Sequence, residues 1–344
     1  VSRVGYFDDP VFGEHDAGPG HPERPARLEA VRRGLREAGL LEALVPLTPR
    51  DATREELLRV HSATHVDRVA ATAGRRVRFD ADTATSPRSY EAAVRAAGAV
   101  VEAVSGVLDG ALDRAFCNVR PPGHHATRER PMGFCLFNNV AVGVAAALAR
   151  GLARVAVIDF DVHHGNGTQE AFYADPRVLY VSSHQFPFYP GTGSLEEVGE
   201  GEGRGFTVNL PMPLGLGDGD YRRAYREIVE PIGRAFDPQL VLVSAGFDPH
   251  RDDPIGGMGV TAAGFAELTD VCLAVASGSA GGRLVAAFEG GYDLDGIAES
   301  AAACVDQMLG RPPKALAAPS QPGFERLLAA YREAHGRYWG VVKG

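Results

Sequence analysis

The sequence predicts a single wound α/β domain, built on a central parallel sheet of about eight strands with helices on both faces. Two observations carry that reading. Short, β-rich apolar runs recur without polar alternation, as strands covered on both faces require, and each runs through Gly or Pro and polar residues into a helical pattern. In chain order, "RAFCNV" leads into "RPPGHHA", "ARVAVI" into "DFDVHHGNG", "PQLVLVSAG" into "FDPHRDDP" and "RLVAAF" into "EGGYD". Helical stretches lie around "FNNVAVGVAAALARG" and "TAAGFAELTDVCLAVASG", and that alternation is the α/β pattern. "RPPKALAAPSQPG" reads as a surface connection to a last helix with Phe324, Leu327, Leu328 and Tyr331 on its apolar side. The expected organisation is one domain over residues 1–344, with a core at about 3–312 and the connection and last helix at 313–344.

Composition narrows the partners. Hydrophobic residues make up 45% of 344, enough for a large core, and no apolar run reaches the length of a membrane span. The opening "VSRVGYFDDP" has no apolar segment of the kind a signal peptide needs, so none is expected. Cys117, Cys135, Cys272 and Cys304 are scattered without a CxxC, which suggests reduced thiols and a cytoplasmic location. The formal charge of −9 (35 basic against 44 acidic residues) argues against a nucleic-acid partner and matches a cationic substrate better. Lys314 and Lys343 are the only lysines; with the many Ala and Gly, this reads as the bias of a GC-rich bacterial genome and carries no mechanism.

Sheets of this class bind ligands beyond the carboxyl ends of their strands. There the four runs deliver His124, His125, Asp159, Asp161, His163, Asp248 and Tyr292. In an extended segment, side chains at i, i+2 and i+4 share a side, so Asp159, Asp161 and His163 face one way and Phe160 and Val162 the other. Two carboxylates and an imidazole converging at a strand end repel or desolvate badly without a cation, and a divalent metal solves that problem. Asp248 of "SAGFDPH" adds another acid. Three protein ligands leave an open position for water, as catalytic zinc sites require. A base and an oxyanion donor are needed beside it; "GHHA" offers imidazoles, and Tyr292, after Gly290 and Gly291, offers a phenol.

The set "RPPGHHA", "GFCLFNN", "DFDVHHGNGTQ", "YVSSHQFPFYPGTG", "VLVSAGFDPHRDDPIGG" and "FEGGYD" resembles the histone deacetylase and acetylpolyamine amidohydrolase superfamily. "HPERPARLEAV" and "REAHGRYWG" extend the resemblance over nearly the whole chain. It implies an arginase-like α/β fold with a metal at the base of a narrow tunnel. By that resemblance Asp161, His163 and Asp248 ligate zinc, or iron(II), which a carboxylate-rich site also accepts. Spacing alone makes Asp159 a third ligand from its loop; the resemblance instead has it orient His124 and bind a structural monovalent cation, usually potassium. That cation site also takes Ser182, Ser183 and the backbone of Asp161 and His163. A second draws on the backbone oxygens of Phe172, Asp175, Val178 and Phe206. His125 is implied as general base and then acid, with His124 as electrostatic helper. Asn166 stands where the partner of His125 is usually an Asp, as in the class II branch. Phe134 and Tyr189 wall the acyl-lysine tunnel, with Gly133 helping to line it. Asp82 matches a rim acid, with Asp80 the other choice.

Several signals are set aside. His61 and His65 in "RVHSATHVDRV" have a metal-pair spacing, but no nearby acid completes a site, and a structural role is expected. "GEGEGRG" precedes "FTVNLPM", a strand pattern, so it is not a Rossmann turn. Glu196, Glu197, Glu200 and Glu202 are expected on a solvated loop. The leading expectation is a metal-dependent amidohydrolase acting on acyl-lysine of proteins or peptides. Its nearest rival, an acetylpolyamine amidohydrolase, is disfavoured by the short "HDAGPGHPERP" loop and by Ile255 at the position of an acidic gatekeeper. A two-metal ureohydrolase needs an acid where Asn166 stands, and a non-catalytic binder conflicts with His125 and Tyr292 together.

Overall fold

The computed structural model describes residues 2–311, 316 and 318–342. Residues 312–315 and 317 of the stretch read as a C-terminal connection lie outside the described residues. Among the described residues there are ten strands: β1 (Val4–Phe7), β2 (Leu44–Leu47), β3 (Val77–Arg78), β4 (Ala84–Thr85), β5 (Arg114–Cys117), β6 (Val155–Asp159), β7 (Val178–Gln185), β8 (Thr207–Met212), β9 (Leu240–Ala245) and β10 (Leu284–Phe288). Eight form one parallel sheet in the order β2-β1-β5-β10-β9-β6-β7-β8; β3 and β4 make a separate antiparallel pair that the sequence reading missed.

The apolar runs are continuous because both faces of the sheet are covered. Ala156 and Ile158 of β6 pack on one side and Val155 and Val157 on the other. In β9, Val241, Val243 and Ala245 point one way, and Leu240 and Leu242 the other. The first face carries helices Ala26–Glu37, Ala262–Val275 and Leu294–Met308; the second carries Ser89–Leu108 and Asn139–Ala149. Asn138 caps the last of these by accepting from the Ala141 amide.

The helix Phe324–Gly336 buries Phe324, Leu328 and Tyr331, with Leu327 half-buried beside them. Its side chains also serve the edge strand. Tyr331 donates to the Pro211 carbonyl and His335 contacts the Asn209 carbonyl, both on β8. An uncovered edge would leave those acceptors open to pairing with another chain.

The four runs singled out by the sequence are β5, β10, β9 and β6, and they are neighbours at the centre of the sheet. Residues separated by more than 160 positions therefore end at one place.

Candidate active site

Beyond β6 the chain turns, and Asp161, His163 and Asp248 come together as a buried triad whose ligand atoms all lie within 4.8 Å of one another. His163 Nδ1 is 3.1 Å from both Asp161 Oδ1 and Asp248 Oδ2. The outer oxygens are held as well. Gly290 N–H donates to Asp161 Oδ2 and Val162 N–H to Asp248 Oδ1, each at 2.7 Å. Burial lowers the basicity of His163, but its bonds to Asp161 and Asp248 outweigh that and raise it to about 10. Burial, with the charge of Asp161 behind it, pushes Asp248 up to about 7. Two buried acids that can share one site only with a positive charge between them fit a cation. Hard and borderline donors in an O, N, O set suit a divalent metal.

Asp159 stands apart from the triad. It accepts from His124 Nδ1 at 3.0 Å, from the Tyr180 hydroxyl at 3.2 Å and from the Asp161 amide at 3.1 Å. These bonds leave Asp159 outside the buried group of Asp161, His163 and Asp248, in which the spacing argument had placed it as a ligand. Burial opposes protonation of His124, yet the charges of Asp161 and Asp159 hold its pKa well above the ordinary histidine value. His125 lies 4.0 Å away, ring to ring, in the opposite condition. Burial, then the positive charges of His124 and His163, keep it well below that value. Its Nδ1–H donates to Asn166 Oδ1 at 2.8 Å, which leaves Nε2 as the accepting nitrogen.

One cavity of about 210 Å³ is lined by His124, His125, His163, Gly133, Phe134, Tyr189, Asp82, Ile255, Gly290 and Tyr292. Phe188 lines it too, stacked on His163 at 5.1 Å, and the sequence reading missed it. Tyr189 meets His125 edge-on at 5.1 Å, and Phe134 meets Tyr292 at 6.0 Å. Gly133 has φ +55, and a Cβ there would fall 2.4 Å from the His125 ring. Burial keeps the Tyr292 phenol protonated, although Arg27 beside the ring pulls the other way. Of the two rim acids, Asp82 faces the cavity, while Asp80 is occupied inside its turn, accepting from the Asp82 and Thr83 amides.

Ser182 sits across from Asp159 in the β6–β7 register, its hydroxyl 2.9 Å from His184 Nδ1. The Ser183 hydroxyl instead contacts Tyr225 at 2.8 Å. Phe172, Asp175 and Val178 lie along one turn into β7, with Phe206 just before β8, and the carbonyls of Phe172, Asp175 and Phe206 each accept a backbone N–H.

Other expectations meet a mixed outcome. His61 and His65 are structural. They stack at 4.5 Å and bond to the Thr127 and Leu136 carbonyls. Glu197 corrects the solvated-loop reading: it is half-buried, accepts from the Gly193 and Ser194 amides and takes a bond from Gln169, tying down the loop that follows Tyr189. Beside the site, two buried carboxylates were not singled out at all. Glu289 accepts from the Gly123 amide at 2.6 Å and the His124 amide at 3.2 Å. Asp253 accepts from four amides, including that of Tyr292. Only their places in "FEGGYD" and "DDPIGG" hint at either. The four cysteines are free and buried, and no helix among the described residues is long and apolar enough to cross a membrane.

The histone deacetylase domain family matches residues 21–308. A probable deacetylase of Archaeoglobus fulgidus is 43% identical over 285 residues, covering 82% of this chain and 79% of its own. Histone deacetylase 15 of Arabidopsis thaliana is 41% identical over 322 residues, covering 90% of this chain and 57% of the longer relative. The solved HDA15 HD domain superposes with a TM-score of 0.92 at 38% identity, covering 99% of this chain and 96% of that one. A central eight-stranded parallel sheet, a buried Asp–His–Asp triad at its carboxyl edge and a domain match over most of the length lead to one assignment: the chain belongs to the histone deacetylase family.

Proposed function

We propose that the chain is a zinc-dependent amidohydrolase that removes acyl groups, acetyl foremost, from lysine side chains of proteins or peptides. The observation that carries this reading is the meeting, around one cavity of about 210 Å³, of adjacent histidines bonded to different partners, Asp159 and Asn166, a phenol and a wall of the metal-competent triad. Asp161, His163 and Asp248 would hold the ion, which when bound supplies Lewis-acid polarisation of an amide carbonyl and activation of water near neutral pH.

The residues of the chain supply the rest. His125 is neutral with its accepting Nε2 turned from Asn166, so it takes the proton of the attacking water and returns it to the leaving amine. His124, cationic and anchored by Asp159, adds positive charge beside the reaction centre. Tyr292, kept protonated, donates to the oxygen on which charge develops. Phe134, Phe188 and Tyr189 enclose the methylenes of an acyl-lysine, and Asp82 at the rim accepts from the substrate backbone.

The reading includes a structural potassium held by Asp159, Ser182, Ser183 and the Asp161 and His163 backbone, supported by the direct Asp159–Ser182 pairing. It extends to a second cation on the Phe172, Asp175, Val178 and Phe206 carbonyls. We take residues 1–344 as one catalytic domain and its C-terminal helix. Free, buried thiols fit a reducing cytoplasm.

An acetylated polyamine is the second reading, favoured by the acid Asp82 at the rim and the net charge of −9. Ile255 at the mouth opposes it by giving a protonated amine nothing to pair with. Assay of the enzyme, loaded in turn with zinc and iron(II), on acetyl-lysine peptides, longer acyl-lysines and acetylspermidine decides among these. The peptide should be preferred, and Ile255→Glu should raise relative kcat/KM for acetylspermidine in a manner weakened by salt. A native preference for the polyamine would overturn the acyl-lysine assignment.

A further inference from the structure

We propose that Asp253 is a positioning residue that locks the Tyr292 backbone to the loop carrying Ile255, so that the oxyanion donor and the cavity mouth are set by one carboxylate. The inference rests on the reading of Tyr292 as the donor. Asp253 is 7% exposed. Its Oδ1 accepts from the Ile255 amide at 2.9 Å and the Gly256 amide at 3.1 Å. Its Oδ2 accepts from the Tyr292 amide at 2.7 Å and the Asp293 amide at 3.3 Å. Each oxygen thus serves one segment, and the two segments lie about forty positions apart in sequence.

The arrangement matters because neither segment is held by regular structure. Tyr292 follows β10 after two glycines, and Gly291 has φ +115. Ile255 lies in a turn between β9 and the helix Ala262–Val275. The two glycines are tied through the Gly290 N–H to Asp161, the Gly290 carbonyl to the Phe247 amide and the Gly291 carbonyl to Arg27. That leaves the Tyr292 and Asp293 amides as the remaining freedom, and misplacement of a catalytic group by about 1 Å is costly. Four amide donors converging on one buried carboxylate remove that freedom, since breaking the set leaves buried N–H groups without partners. At the opposite end the same carboxylate fixes Ile255, the side chain at the mouth.

Removing the carboxylate should act through Tyr292 and not through metal binding. In the zinc-loaded full chain, Asp253→Ala should retain bound zinc while kcat falls on the order of 10- to 100-fold. Asp253→Asn, which keeps the size and half of the acceptors, should shift the same way by less and serves if the alanine variant does not fold. In a Tyr292→Phe background either change should cost less than about threefold more, because the group being positioned is already gone. A loss of folded fraction would multiply through instead. Amide exchange gives a readout independent of turnover: the segments around Ile255 and Tyr292 should lose protection together in Asp253→Ala. Full additivity with Tyr292→Phe, native kcat in both variants, or loosening at Ile255 with Tyr292 unchanged in Asp253→Ala would each overturn the proposal. An inactive native enzyme would sink the deacetylase reading, while the exchange experiment would still decide the link.

Discussion

Asn166 is the residue that most distinguishes the proposed acid–base machinery. As an amide it orients His125 through a 2.8 Å bond but adds no charge to stabilise an imidazolium. His124, served by the Asp159 carboxylate, is held in the protonated state. Two adjacent imidazoles therefore differ in partner, and burial with the neighbouring charges drives them further apart. Asn166→Asp would place a negative charge against His125 Nδ1, and an opposite charge at that range raises a pKa by roughly 1–3 units. The acid limb of the kcat/KM profile should move to higher pH by at least about one unit. An unmoved limb would mean that His125 is not the base being titrated. His125→Ala should lose on the order of 10²–10⁴ in rate with zinc still bound; turnover near native would place the base elsewhere.

At the level of elements, the central strands were readable and the polar supports were not. β5, β6, β9 and β10 appear in the sequence as unbroken apolar runs because both faces are buried, and their ends carry the ionisable residues in plain view. The β3–β4 pair offers two residues per strand, too few for any periodicity. Glu23, Arg27 and Arg120 form a fully buried ion network, yet in "HPERPARLEAV" the first two resemble the solvent side of an amphipathic helix. Their burial depends on partners such as Arg120, nearly a hundred positions away. Asp159 shows the limit of spacing: it shares a face with Asp161 and His163, but its Oδ2 accepts from His124 and Tyr180 and its Oδ1 from the Asp161 amide. The end of β10 makes a sharper prediction. A Cβ on Gly290 would fall 2.2 Å from Asp248 Oδ2 and 2.5 Å from Asp161 Oδ2, so two members of the triad must move to admit it. Gly290→Ala should lose zinc affinity on the order of 10–100-fold or more, the effect of disturbing groups that orient metal ligands. Unchanged zinc affinity, measured by chelator competition, would place the metal away from this triad.

Across the whole molecule, the buried histidines set the response to acid. His61 donates Nδ1–H to the Thr127 carbonyl and accepts the Asn138 amide on Nε2, so its neutral tautomer is fixed from both sides. Burial, with His65 beside it, lowers its pKa to about 3. His65 and His335 are lowered as well, chiefly by burial. A histidine whose folded pKa lies below its unfolded value of about 6.5 gains a proton only on unfolding. Stability therefore rises with pH through this window and is lost as pH falls from about 6.5, at about 1.4 kcal/mol per pH unit for each histidine still neutral. Glu289 works in the other direction. Burial raises it to about 7, so the folded state holds a proton that the unfolded chain releases. Asp248, raised to about 7, acts with Glu289, and burial raises Asp159 and Asp253 too. These carboxyls are outnumbered by the histidines that burial lowers, His15, His61, His65, His125, His164, His184 and His335. The protein should accordingly lose stability steeply below pH 6.5 and take up protons on unfolding at pH 5.5. His61→Gln can present an amide N–H to Thr127 and an oxygen to Asn138, so it should fold, and its loss of stability between pH 6.5 and 5 should be shallower than native by about 1.4 kcal/mol per unit. Denaturant titrations across that range test this directly, and identical slopes in the two proteins would show that His61 is not held neutral.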